Sequence, residues 1–292
     1  MAVDILQEKI RKMKNPSMVS FELPYGELPP HLAADYGNTA DAYGAFCLAI
    51  LEGLKDIVPA VRVHWGMFSL LGAEGMTQLS AVLHRSKELG YYVLLDGLDF
   101  GTPMSARNIA DVVFGDDHWS CDAVMVPVYQ GSDCIKPFLP FCKEQKKDIF
   151  VQAKTSNKSA PELQDLHTGS RLVHTAAMDL VNRYGQPLRG RFGYCHVAAS
   201  VGAAVPEAIR TLRVKYPNIF LLTDGYDYPN GNAKNCSYAF DRMGHGAIAC
   251  AGGTITTAWK LTEGSDGTDF VELARDAALR MKKNLSRYVT IL

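Results

Sequence analysis

The stretch PAVRVHWGMFSLLGAEGMTQLSAVLHRSKELGYYVLLD, residues 59–96, decides the fold. PAVRVHW (59–65) is a short apolar run of β character. GAEGMTQLSAVLHRSKELG (72–90) carries apolar residues at helical spacing and closes on Gly90, and YYVLLD (91–96) is a strand again. Two strands joined through a helix run parallel. The same alternation continues in both directions. Upstream, MVSFEL (18–23) precedes the helical segment 39–57. Downstream come a helix near 103–115, the strand CDAVMVPV (121–128), a short helix near 135–145, and the strand DIFVQAK (148–154). A helix at 171–185 leads to RFGYCHVAA (191–199), the helix VPEAIRTLRVKYP (205–217) and the strand NIFLLT (218–223). A helix near 233–243, the strand GAIACAG (246–252) and an amphipathic helix at 270–289 complete the chain.

Eight strand–helix units in 292 residues predict an α/β fold of one closed (β/α)8 barrel, or TIM barrel. The whole chain, 1–292, reads as one domain. Residues 1–17 form an N-terminal extension, expected as an amphipathic helix across the bottom of the barrel. Residues 259–292 form a C-terminal loop and helix. A doubly wound open sheet is the alternative, and it calls for G-x-G-x-x-G after the first strand. That loop reads ELPYGELPPHL (22–32) instead.

Composition narrows the function classes. With 30 Lys and Arg against 31 Asp and Glu, the net charge of -1 leaves no basic footprint for nucleic acid or a membrane surface. No apolar run approaches the roughly 20 residues that span a bilayer, and the start MAVDILQEKIRKMK has no signal-peptide core. Seven cysteines, an odd number without a C-x-x-C pair, read as free buried thiols of a reducing, cytoplasmic compartment. The eight histidines show no H-E-x-x-H or H-x-H spacing, so a zinc site assembled from distant positions stays open without sequence support.

A barrel carries its chemistry at the C-terminal strand ends. Those ends hold Glu22, Arg62 with His64, Asp96 with Asp99, Pro127 with Tyr129, Lys154 to Asn157, His196 with Ser200, Thr223 to Asp227, and Cys250 to Thr254. Asp96 ends an apolar strand, and Arg62 lies within one, where an inward charge needs a partner. An Arg62–Asp96 pair across neighbouring strands is the expected solution, as an active-site clamp or as a structural ion pair. Lys154 is the lysine best placed at a strand end, for ammonium chemistry or for capping its loop.

Several segments in order carry a resemblance: FCLAILEGLKDIVPAVRV (46–63), LGYYVLLD (89–96), AKTSNKSAPELQDL (153–166) and SVGAAVPEAIRTLRVKYPN (200–218). LLTDGYDYPNG (221–231) adds to it. Together, over residues 18–258, they resemble the orotidine 5'-phosphate decarboxylase family in its longer bacterial type. The resemblance implies a (β/α)8 barrel without cofactor or metal, acting as a homodimer with its sites at the dimer interface. It implies a small-molecule, nucleotide-like ligand and the conversion of orotidine 5'-phosphate to UMP and CO2 in pyrimidine biosynthesis. Glu22 then stands for a ribose-contacting aspartate, and Ser156 with Asn157 match a segment that contacts the pyrimidine. Ser105 stands where the family has a threonine that reaches across the dimer interface. Asp224, Gly225, Gly252 and Gly253 lie where the family binds phosphate.

The catalytic positions depart from that pattern. The family carries a lysine on the second strand and D-x-K-x-x-D after the third. Here the second-strand position is Arg62, and the motif reads DGLDFG (96–101), so Asp96 is kept while Leu98 and Gly101 replace a lysine and an aspartate. Leucine neither stabilises negative charge nor donates a proton. An arginine preserves charge but holds its proton too tightly to serve as an acid. Three functions follow as expectations. One is a divergent decarboxylase using Arg62, Asp96 and Asp99. The second is a catalytically retired relative that binds a small molecule or a protein partner. The third is an enzyme of different chemistry at the same mouth. An open pocket shared by Arg62, Asp96 and Lys154 favours a binder or enzyme, whereas a mouth plugged by Tyr226 and Tyr228 favours neither.

Overall fold

The structure is a computed structural model that describes residues 2–115 and 119–292; Met1 of the expected extension lies outside them. Eight parallel strands close on themselves: β1 (Ser17–Phe21), β2 (Ala60–His64), β3 (Tyr92–Asp96), β4 (Ala123–Pro127), β5 (Asp148–Lys154), β6 (Cys195–Gly202), β7 (Ile219–Asp224) and β8 (Ala247–Ala251). Each pairs with its neighbours in chain order, and β8 returns to β1. Strands covered on both sides need apolar residues throughout, and β1, β6 and β8 are buried along their whole length.

The connecting helices turn one apolar face inward. Gly72–Glu88 buries Gly75, Leu79, Val82, Leu83 and Ser86, and Phe270–Ser286 buries Phe270, Ala274, Ala277, Ala278, Met281 and Leu285. The helix Ala2–Met13 closes the bottom of the barrel. Its Asp4 accepts from the amides of Arg191 (3.1 Å) and Phe192 (3.2 Å), ahead of β6. Gln7 Oε1 accepts from Gly246 N (2.9 Å), ahead of β8. Among the described residues, no helix is long and apolar enough to cross a membrane.

Three boundaries differ from the sequence reading. The sixth strand runs Cys195–Gly202 instead of 191–199 because the chain turns at Gly193 and then extends through small residues. His196 therefore sits at the bottom of the barrel, away from the mouth. The helix expected at 171–185 starts at Val173, since Arg171–Leu172 pairs with His167–Thr168 in a small antiparallel hairpin. The helix near 233–243 is only Ala233–Ser237, capped by Asn232. The chain then bends, and Asp241 accepts from the amides of Met243 and His245.

His196 belongs to a buried polar group. Asp148 at the foot of β5 is bonded to His196 Nδ1 and accepts from Tyr92 Oη (2.6 Å). Burial pushes the Asp148 carboxyl up to about 6, with His196 and Tyr92 restraining the rise. A carboxyl raised by folding contributes most when protonated. That contribution is complete below the unfolded value near 4 and is lost as pH rises through about 6. Asp148→Asn, which cannot ionise, should gain stability relative to the parent between pH 4 and pH 7, by about 3 kcal/mol. Urea unfolding of both proteins at the two pH values measures this, and a constant difference would refute it.

Candidate functional site at the barrel mouth

The mouth is organised by one arginine. The β1–β2 register sets Ser20 beside Arg62, and the β2–β3 register sets His64 beside Asp96. Arg62 is only 7% exposed, and each of its nitrogens is engaged. Nε donates to Ser20 Oγ (2.9 Å), Nη1 to Asp224 Oδ2 (2.8 Å) and Nη2 to Glu22 Oε2 (3.0 Å). Asp96 Oδ2 stands 3.6 Å from Nη1, so the expected Arg62–Asp96 ion pair forms, though Asp224 and Glu22 are the closer partners. Burial alone would lower the pKa of Arg62. Asp224, Cys250, Asp96 and Glu22 outweigh it and hold the guanidinium proton more tightly than usual. Arg62 is thus a fixed charge and no acid.

Two adjoining cavities, of about 390 and 440 Å³, open around this cluster and share Glu22, Arg62, Asp224 and Tyr228. The first also brings in Asp96, Lys154, Ser156 and Asn157. The second is lined by Gly225, Gly252 and Gly253. Tyr228 stands exposed at the rim, while the hydroxyl of Tyr226 bonds to Asn284 of the last helix. The tyrosines leave the mouth open. Gly225 makes room for Tyr228: its φ is +76°, and a Cβ there would lie 2.5 Å from that ring.

The other sequence candidates fall in different places. Leu98 lines the first cavity, where the aligned family lysine would stand. Asp99 is not on either cavity wall; its Oδ1 accepts from Gly101 N (2.8 Å) within its own loop. Ser105 is also absent from both walls. It exchanges hydrogen bonds with Thr102 at the start of the helix Pro103–Gly115, as an N-terminal cap. Ser156 Oγ accepts from Ala204 N (3.3 Å), and Asn157 Nδ2 donates to Ser159 Oγ (3.0 Å).

Lys154 ends β5 and is 2% exposed. Its Nζ lies 2.9 Å from Asp165 Oδ1, and no other acceptor among the described residues reaches it. Burial would raise Asp165, but Lys154 and His174 hold its carboxyl below the usual range. Asp165 belongs to the stretch AKTSNKSAPELQDL (153–166), where its spacing gives no sign that it pairs with Lys154. His64 lies on the wall of the first cavity, its Nδ1 without a hydrogen-bond partner among the described residues. Its ring packs over Gly97, where a Cβ would come within 2.8 Å of three ring atoms.

The backbone of AGGTI (251–255) holds an anion from within the chain: Asp227 Oδ2 accepts from Gly252 N (3.0 Å) and Thr254 N (3.2 Å). Among the described residues there is no group of three His, Cys, Asp or Glu side chains placed to hold a metal ion.

Removing one partner from a buried charge cluster leaves the others uncompensated. Arg62→Ala should therefore lower the unfolding free energy by about 3 kcal/mol, discounted from the upper range because Glu22 is half exposed. Adding Asp224→Asn should restore part of that loss. Denaturant unfolding of the four proteins in the cycle checks the coupling; additive losses would show that Arg62 and Asp224 act independently.

Known proteins share both sequence and fold with this chain. No family model matches it. An orotidine 5'-phosphate decarboxylase of Rhodopirellula baltica is 31% identical over 256 residues, covering 85% of each chain. One from Clostridium perfringens is 27% identical over 286 residues, covering 98% of each. The solved orotidine monophosphate decarboxylase of Leishmania donovani has the same fold, with a TM-score of 0.72 over 97% of this chain and 99% of its own, at 22% identity. Identity above 30% across most of both chains, on the same closed barrel, makes this protein a member of the orotidine 5'-phosphate decarboxylase family.

Proposed function

We propose that the barrel mouth binds a small polar ligand of the family's nucleotide-like class. We further propose that this chain performs the family reaction, orotidine 5'-phosphate to UMP and CO2, far more slowly than relatives with the full motif. One observation carries the binding part: Arg62, Asp96 and Lys154 line a single open cavity. The retention of Asp96 beside Arg62 supports a site derived from the family's own.

The weak reaction follows from the chemistry of the wall. When CO2 leaves, the electron pair of the broken C–C bond remains on the ring and must take up a proton. Leu98 has none to give, and Arg62 holds its own too tightly, among three carboxylates. At the phosphate end, Asp227 already occupies the backbone amides of Gly252 and Thr254. A phosphate there would have to displace a carboxylate and meet Asp224 nearby. A ligand without a phosphate suits this mouth better. A different reaction at the same mouth is favoured by a separate observation, the buried Nζ of Lys154 and Nδ1 of His64 on one cavity wall.

Loss of one preorganised charged donor typically costs about 2.7–4 kcal/mol of transition-state stabilisation. The expected turnover of orotidine 5'-phosphate is therefore at least about a hundredfold below that of relatives with D-x-K-x-x-D. Loss of orotate absorbance in purified protein measures it, and turnover at the ordinary family rate would sink the reading. The double variant Leu98→Lys, Gly101→Asp should raise the rate.

We also propose a homodimer within a reducing, cytoplasmic compartment, the chain acting as a single-domain unit in pyrimidine metabolism. Leu70, Met104 and Tyr129 follow three consecutive strands, β2, β3 and β4, and are 77%, 70% and 85% exposed. Large apolar groups so placed suit a second copy of the chain. All seven cysteines are buried free thiols, which supports the reducing compartment. Met104→Asp with Tyr129→Asp should convert a dimer to a monomer in light scattering after size exclusion, and an unchanged mass would exclude this face.

A further inference from the structure

Arg62 and Lys154 are the two cations on the wall of the first cavity, and they are committed differently. Arg62 spends its donors on Ser20, Asp224 and Glu22, with Asp96 alongside. Any anionic oxygen approaching it would meet three carboxylates already in place. Among the described residues Lys154 faces a single carboxylate, Asp165, and its ammonium carries three protons, more than that one ion pair uses. A buried ammonium in that state gains most from a new acceptor oxygen.

The strand aims the side chain there. The β5–β6 ladder slips between Gln152, opposite Ser200, and Lys154, opposite Val201. A bulge at the end of a barrel strand redirects the last side chain. The loop beyond is tied down, since Gln164 Oε1 accepts from Thr155 N (2.9 Å) and His174 Nδ1 meets Asp165 Oδ1 (3.1 Å). The counter-charge is thereby fixed behind Lys154, while Ser156 and Asn157 line the same cavity.

We propose that Lys154 is the anchoring cation of this mouth and that it binds the carboxylate of a small, non-phosphorylated ligand. The acceptor capacity of Asp96 and Glu22, across the cavity, then receives the ligand's N–H or O–H groups. This rests on the mouth being a ligand site, as proposed above. It does not depend on whether orotidine 5'-phosphate is turned over.

The probes are orotate and uracil, which differ only by the carboxylate, titrated calorimetrically into the full chain. The parent should bind orotate about tenfold or more tightly than uracil, the range of one charge-assisted hydrogen bond. Lys154→Met should reduce that preference to near unity, with uracil affinity unchanged. Asp165→Asn, which removes the competing carboxylate and keeps the ammonium, should hold or raise it. Were Lys154 only a loop clamp, both variants would lose binding of the two probes together. That result, a parent without preference for orotate, or an undiminished preference in Lys154→Met would overturn the proposal. Turnover of orotidine 5'-phosphate at the family rate would instead refute the slow-reaction reading and leave this one standing.

Discussion

A guanidinium buried in the barrel mouth cannot stand without counter-charge, and the arrangement of the mouth follows from that constraint. Arg62 lies inside a closed ring of strands, 7% exposed. Its carboxylate partners come from the end of β3, the end of β7 and the segment just after β1. Asp96, Asp224 and Glu22 are thus drawn to one point from distant parts of the chain. Their combined field keeps Arg62 protonated and keeps the strand ends in register around it. The cavities form around this cluster and take their polarity from it.

The same constraint separates this mouth from one suited to a phosphate ester. Carboxylates that satisfy Arg62 leave it unavailable to a ligand anion. Asp227 then satisfies the amides that would otherwise seek one. Lys154, on the wall of the first cavity, meets one counter-ion among the described residues, Asp165.

Much of this was legible in the chain. Strand alternation, the burial of Arg62 and its pairing with Asp96, and the helix under the barrel are consequences of local pattern and of the cost of a buried charge. Other features were not legible. Asp99 and Asp96 are three residues apart in one loop, yet the turn at Gly97 sends Asp99 to the Gly101 amide and away from the cavity. The hydrogen bonds that Ser105 exchanges with Thr102 at the start of its own helix left no mark in the sequence either. His196 looked like a mouth residue until the strand proved to begin at Cys195, which places it with Asp148 and Tyr92 at the opposite end.

The sequence by itself determined the closed barrel, because hydrophobic periodicity and the parallel pairing of strand–helix–strand units are local properties that leave few ways to close eight strands. It also determined which charged residues end strands. Only the tertiary structure decided who pairs with whom. Asp224 is 162 positions from Arg62, and Asp165 reaches Lys154 from a loop with no pattern of its own. Ion pairs of this kind depend on distances of a few ångströms in a medium of low dielectric constant. Such distances are set when the ring of strands closes, and nothing in residue spacing encodes them.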